Sequence, residues 1–139
     1  MRMAQQRISI ATRGQGLHEI TDTVTAWVAA QSMGTGLLTL YLPHTSASLL
    51  IQENAAPEVR ADLEDFLGAL APEDPQRYRH NDEGPDDMPA HIRACVLPSH
   101  LAIPLERGRL ALGTWQGIYL VEHRRAPHRR EIVLHLHGA

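Results

Sequence analysis

Trp115-Gln116-Gly117-Ile118-Tyr119-Leu120-Val121-Glu122-His123 is the stretch on which the fold turns. It reads as an apolar strand, and Gly113 and Gly117 flank its opening. Alternation puts Thr114, Gln116 and Glu122 on one face and Trp115, Tyr119 and His123 on the other. Glycine in a strand marks a bulge or a close backbone approach, so these glycines are expected to admit a neighbour while Trp115 packs in the core. Gln116 and Glu122 stand out, because a buried polar side chain needs partners.

Outward from this strand, the chain from His100 onward reads as strands at about His100–Pro104, Leu110–Leu112 and Arg130–His137. Toward the N-terminus, Gln6–Thr12 alternates, Arg13–Gly16 is a turn, and Gly36–Pro43 and Ser46–Gln52 are further strands. Ile20, Val24, Trp27, Val28 and Gln31 fall at helical spacing, with Thr21 or Asp22 as cap. Val59, Leu63, Phe66, Leu67 and Leu70 give a second helix, capped by Asn54 and stopped by Gly68 and Pro72. Pro72–Pro89 has no periodic pattern, and Pro89–Leu97 is a short helix. The sum predicts one α+β domain over residues 1–139, with a mostly antiparallel, sandwich-like core and two or three helices.

A net charge of −3 gives no global basic surface for nucleic acid. Cys95 is the lone cysteine, so no intrachain disulfide ties the chain to an oxidising compartment. Met1–Gly14 lacks the apolar core of a signal peptide, and the longest apolar stretch, Gly36–Leu42, is too short to span a bilayer. The expectation is a cytoplasmic protein without membrane partners. Nine histidines point to metal or proton chemistry.

Pro43-His44-Thr45-Ser46-Ala47-Ser48 places an imidazole beside hydroxyls at a proline-marked bend. The hydroxyls can donate to an anion and the imidazole can bind metal; a strand end with ordinary hydrogen bonds is the alternative. Glu53 precedes Asn54 at a helix N-terminus, where free amides favour anions. His80 and His91, eleven apart, match no compact zinc finger, but a long loop can bring both to His44 and leave a position open for water or substrate. His123-Arg124-Arg125 and His128-Arg129-Arg130 form the basic cluster, suited to phosphate or to a solvated hairpin tip. His135 and His137 share a strand face as a second metal candidate.

The blocks His44-Thr45-Ser46-Ala47-Ser48, Glu53-Asn54, Tyr78-Arg79-His80-Asn81, Ala90-His91-Ile92, Ser99 through Ile103-Pro104, Gly108, and Gly113-Thr114-Trp115-Gln116-Gly117-Ile118-Tyr119-Leu120 to Glu122 resemble the YjbQ-like family, in order and over nearly the whole chain. The resemblance implies an α+β trimer with secondary thiamine-phosphate synthase activity. That reaction joins a pyrimidine methyl diphosphate to a thiazole phosphate and releases pyrophosphate. It places the family's histidines on His44, His80 and His91, and other motif positions on Ser46, Glu53, Asn54, Ser99, Gln116 and Glu122. Gly84-Pro85-Asp86-Asp87-Met88-Pro89 departs from the expected pattern and leaves a fourth ligand open.

The expected site therefore has His44, His80 and His91 as ligands of a divalent ion, zinc or magnesium. His44, Glu53, His91 and Glu122 are the candidate catalytic groups, and Ser46, Asn54, Ser99, Gln116 and Arg129 the candidate phosphate contacts. The alternatives are a metal-dependent hydrolase of a phosphorylated small molecule, or a non-catalytic trimer that binds metal or ligand.

Overall fold

The computed structural model describes residues 1–139. In chain order the elements are β1 (Arg2–Ala11), β2 (Gly16–Glu19), α1 (Thr21–Ala30), β3 (Gly36–Tyr41), β4 (Ala47–Glu53) and α2 (Pro57–Leu70). A 3-10 turn (Pro75–Arg77) leads to α3 (Asp87–Val96), β5 (His100–Glu106), β6 (Arg109–Leu110), β7 (Gln116–Glu122) and β8 (Arg129–Gly138). Two antiparallel sheets result, one ordered β1-β8-β3-β5-β6 and the other β2-β7-β4. The expected α+β class with a sandwich-like antiparallel core is what the chain forms.

The core lies between the sheets, where alternate residues of both meet. Leu38 and Leu40 of β3 and Ile132, Leu134 and Leu136 of β8 face Leu49 of β4 and Ile118 and Leu120 of β7. Each of the three β8 side chains is 0% exposed, and burial of each stabilises by about 1.5–3 kcal/mol. Val24 and Val28, four apart on α1, join the same core. No helix is long and apolar enough to cross a membrane.

Several expectations are corrected. Gly16–Glu19 is a strand, β2, on the edge of β7; only Leu17 is buried there, too short a signal for alternation to register. Trp115 is 63% exposed rather than in the core, because it precedes β7 and stands in the turn closed by Gln116 N–H to Gly113 O. Asn54 does not cap α2: Ala56 is the cap residue, and the Glu53 carboxylate accepts the Ala55 and Ala56 N–H groups. α2 runs through Gly68 to Leu70, because Arg93 of α3 donates to the carbonyls of Leu67, Gly68 and Ala71 and satisfies its C-terminal end. Gly117 does lie against a neighbouring strand, paired with Gln52 of β4, and its missing side chain also leaves room for two others: a Cβ there would lie 2.7 Å from Glu19 Oε2 and 3.0 Å from the Asn54 side chain.

Candidate functional site

The segment without periodicity folds onto α3. Asp87 and His91 sit four apart on that helix, a spacing that puts both on one face. His91 Nε2 is 3.4 Å from Asp87 Oδ2, and His80 Nε2 approaches the same oxygen at 3.4 Å from the loop. His80 Nε2 also donates to Glu83 Oε2 at 2.9 Å. The ligating atoms of His80, Glu83 and Asp87 all lie within 4.8 Å of one another. The hydrogen bond from His80 holds the Glu83 carboxyl below its usual range, and the carboxylate raises the imidazole in return.

Asp87 is held from behind. Arg124, just past β7, donates from Nη1 to Asp87 Oδ1 at 3.0 Å, from Nε to Asp86 Oδ2 at 3.0 Å, and from Nη2 to Glu83 O at 2.9 Å. Burial works against the charged Asp86 carboxylate, but the Arg125 N–H and the Arg124 guanidinium outweigh it and keep its pKa low. Gly84 turns the loop at φ +97, a conformation that favours glycine, and a Cβ there would meet Asp86 Oδ1 at 3.3 Å. With Oδ1 committed to Arg124, Asp87 Oδ2 is buried and has no hydrogen-bond partner.

His91 Nδ1 donates to Thr45 O at 3.0 Å, which leaves the neutral ring an unprotonated Nε2 facing that oxygen. Two electron-rich atoms so close fit a cation held between them. His80, Glu83 and Asp87 are a compact donor set for a divalent ion, His91 Nε2 stands beside it against Asp87 Oδ2, and a carbonyl such as that behind His91 is the usual outer partner of a metal-bound imidazole.

A second constellation lies deeper. Glu122 is 0% exposed and pairs with Arg130 through both carboxylate oxygens. Thr12 Oγ1 donates to Oε1 at 2.8 Å and Arg124 N–H to Oε2 at 3.2 Å. Burial pushes against the charged form, but these donors prevail and hold the Glu122 pKa low. Arg130 also donates to Ser46 Oγ at 2.9 Å. His123 is hydrogen-bonded to Ser48 Oγ at 2.9 Å, and burial, with the fields of Arg93 and Arg130, pushes its pKa down to about 4.

The structure brings His80 and His91 together on Asp87, whereas the loop argument has both meeting at His44. It turns His44 elsewhere: His44 Nε2 accepts the Glu131 N–H at 2.9 Å, and burial, then Arg130, lower its pKa. Glu53 is engaged with loop amides, and Asn54 Nδ2 donates to Glu19 Oε2 at 3.0 Å. Gln116 Oε1 accepts from Gly113 N–H at 2.8 Å, Ser99 O accepts from Leu42 N–H at 2.8 Å, and exposed Arg129 reaches Ser9 Oγ at 3.2 Å. The His135 ring, with His137 at 6.1 Å, bonds Gln5 Oε1 at 2.8 Å. Glu83 and Asp87 escaped the sequence reading as ligands, although His80–Glu83 at three and Asp87–His91 at four residues carried the signal.

The fold and this histidine–carboxylate cluster define an α+β class whose relatives can now be named. The chain belongs to the family described as UPF0047 protein YjbQ-like, whose pattern matches residues 6–139. It is similar to a UPF0047 protein of Synechocystis (50% identity over 137 residues, 99% of this chain and 93% of the relative). It is also similar to the YjbQ protein of Salmonella typhimurium (46% identity, covering 96% and 97%). Among solved structures, a conserved hypothetical protein of Thermus thermophilus superposes with a TM-score of 0.80 at 37% identity, over 92% of this chain and 97% of that one.

Proposed function

We propose that the chain is an enzyme acting on a phosphorylated small molecule and that it holds a divalent cation on His80, Glu83, Asp87 and His91. The reading is carried by Asp87 Oδ2, a buried carboxylate oxygen with no hydrogen bond that faces two imidazole nitrogens. The mixed nitrogen and oxygen donors suit zinc better than magnesium, which prefers oxygen ligands and retained waters. When bound, the ion would offset charge on a phosphate or diphosphate oxygen.

The chain's own groups do the rest. Arg124 fixes the direction of the Asp87 carboxylate, and Thr45 O fixes the His91 ring. The proton that His80 shares with Glu83 must leave before His80 can ligate, so cation binding strengthens as pH rises through the elevated His80 pKa. The family resemblance favours a thiamine-phosphate synthase type of condensation, with pyrophosphate as leaving group, in a homotrimeric assembly.

Zinc equilibrium dialysis together with a pyrophosphate-release assay tests this. Asp87→Asn is expected to weaken zinc by at least the roughly 10–100-fold that disturbing even an outer partner costs, with the fold retained. Unchanged zinc affinity in that variant removes the site. Pyrophosphate release that needs both thiamine precursors supports the transferase; release from one alone supports a hydrolase; zinc binding without turnover overturns the enzyme reading. Light scattering of a monomer at micromolar concentration would overturn the trimer.

A further inference from the structure

On the far side of α3 from Asp87 and His91 lies a cleft of about 380 Å³, within the size range of small-molecule sites. Its lining includes Leu17, Glu64, Asp65, Leu67, Arg93 and His123. Arg93 is only 3% exposed. Its Nε donates to Leu67 O at 2.7 Å and its Nη2 to Ala71 O at 2.9 Å, so two nitrogens are spent on the end of α2. Nη1 is buried and has no partner. No carboxylate pairs with this guanidinium, whereas Arg124 has two and Arg125 and Arg130 one each. The carbonyl end of α2 offsets part of the charge, but a buried cation without a counter-charge is unfavourable.

The remaining walls narrow the choice of ligand. Leu17, Leu67 and Val121 give an apolar side, part of a small hydrophobic cluster with Tyr119. Glu64 uses Oε2 to accept the Leu17 N–H at 2.9 Å, and Asp65 is exposed beside it. His123, held neutral, and Glu122, already paired with Arg130, add no free charge. A simple anion would meet two carboxylates, and a simple cation would leave Arg93 as it stands. A molecule with both charges satisfies every wall.

We propose that this cleft binds a small zwitterion, an α-amino acid with an apolar side chain. Its carboxylate accepts from Arg93 Nη1, its ammonium faces Glu64 and Asp65, and its side chain lies on Leu17, Leu67 and Val121. The site is separate from the proposed cation centre and does not depend on it.

Calorimetric titration of the full chain with L-leucine tests the proposal, alongside 4-methylpentanoate, which lacks the ammonium, and 3-methylbutylamine, which lacks the carboxylate. Leucine is expected to bind one to one, and each analogue at least about tenfold more weakly, since each leaves a charged group unpaired. Because Arg93 also holds α2, its replacement risks the fold, and Glu64→Gln is the decisive variant: it keeps an acceptor for the Leu17 N–H and removes the charge. It should weaken leucine about tenfold and leave 4-methylpentanoate no weaker. Arg93→Lys, with unchanged melting temperature, should weaken leucine and 4-methylpentanoate together. No heat with leucine at millimolar concentration, equal affinity for the three probes, or indifference to Glu64→Gln overturns the proposal. The same titration with and without a chelator should agree, so its outcome is independent of the zinc experiment.

Discussion

Glu122 and Asp87 are both buried carboxylates set against an arginine, and they part ways at the last lone pair. Glu122 receives Arg130 on both oxygens, Thr12 on one and a backbone amide on the other. Asp87 receives Arg124 on Oδ1 alone, and Oδ2 faces two histidines unclaimed. The same ingredients thus give a saturated network in one place and an unsatisfied atom in the other. A fully paired buried carboxylate organises structure; one held rigidly with an oxygen to spare is ready for something that is not protein.

The largest test of that contrast is Arg130→Met. It strands Glu122 as a buried, uncompensated charge and should destabilise by about 3–5 kcal/mol in urea unfolding. A loss below 1 kcal/mol would show that the network is not the structural partner of the pair. Next comes His123, inside the saturated region. Its folded pKa lies below the unfolded value, so the unfolded chain binds the extra proton first. Stability should therefore fall as pH drops from about 6.5 toward 4, by at most about 3 kcal/mol, and level off below. Urea unfolding across that window in wild type and His123→Gln measures the difference; equal slopes would remove His123 as the cause. The smallest effect sharpens the open side: Arg124→Gln should cost about 10–100-fold in zinc affinity by releasing Asp87 Oδ1. Equilibrium dialysis reads it, and undiminished affinity would mean that Asp87 needs no such support.

Much of the scaffold was legible because periodicity reports burial. Ile132, Leu134 and Leu136 alternate on β8, and Val24 and Val28 recur on α1, as their core positions require. Residues outside a periodic element were misread. Trp115 is large and apolar, but one residue ahead of β7 it faces solvent. Glu53 reads as a cleft acid by type, yet its carboxylate is consumed by two loop amides. Of the candidate site, residue type and loop length singled out His80 and His91, which the fold sets beside Asp87. Asp86 and Asp87 were given no role, because the arginine that buries them lies 38 and 37 residues further along the chain. His44 sits next to Thr45, whose carbonyl steadies His91, but spends its own Nε2 on β8.

Arg124 belongs to both regions at once: its amide completes the Glu122 network while its guanidinium grips Asp86 and Asp87. The turn joining β7 to β8 carries the chain from one sheet to the other at the surface, where insertions are ordinarily tolerated. Here an added residue ahead of Arg124 would draw the guanidinium off the start of α3. The length of this turn is therefore fixed by a helix remote in sequence, and indels among relatives should fall after Arg125 rather than before it.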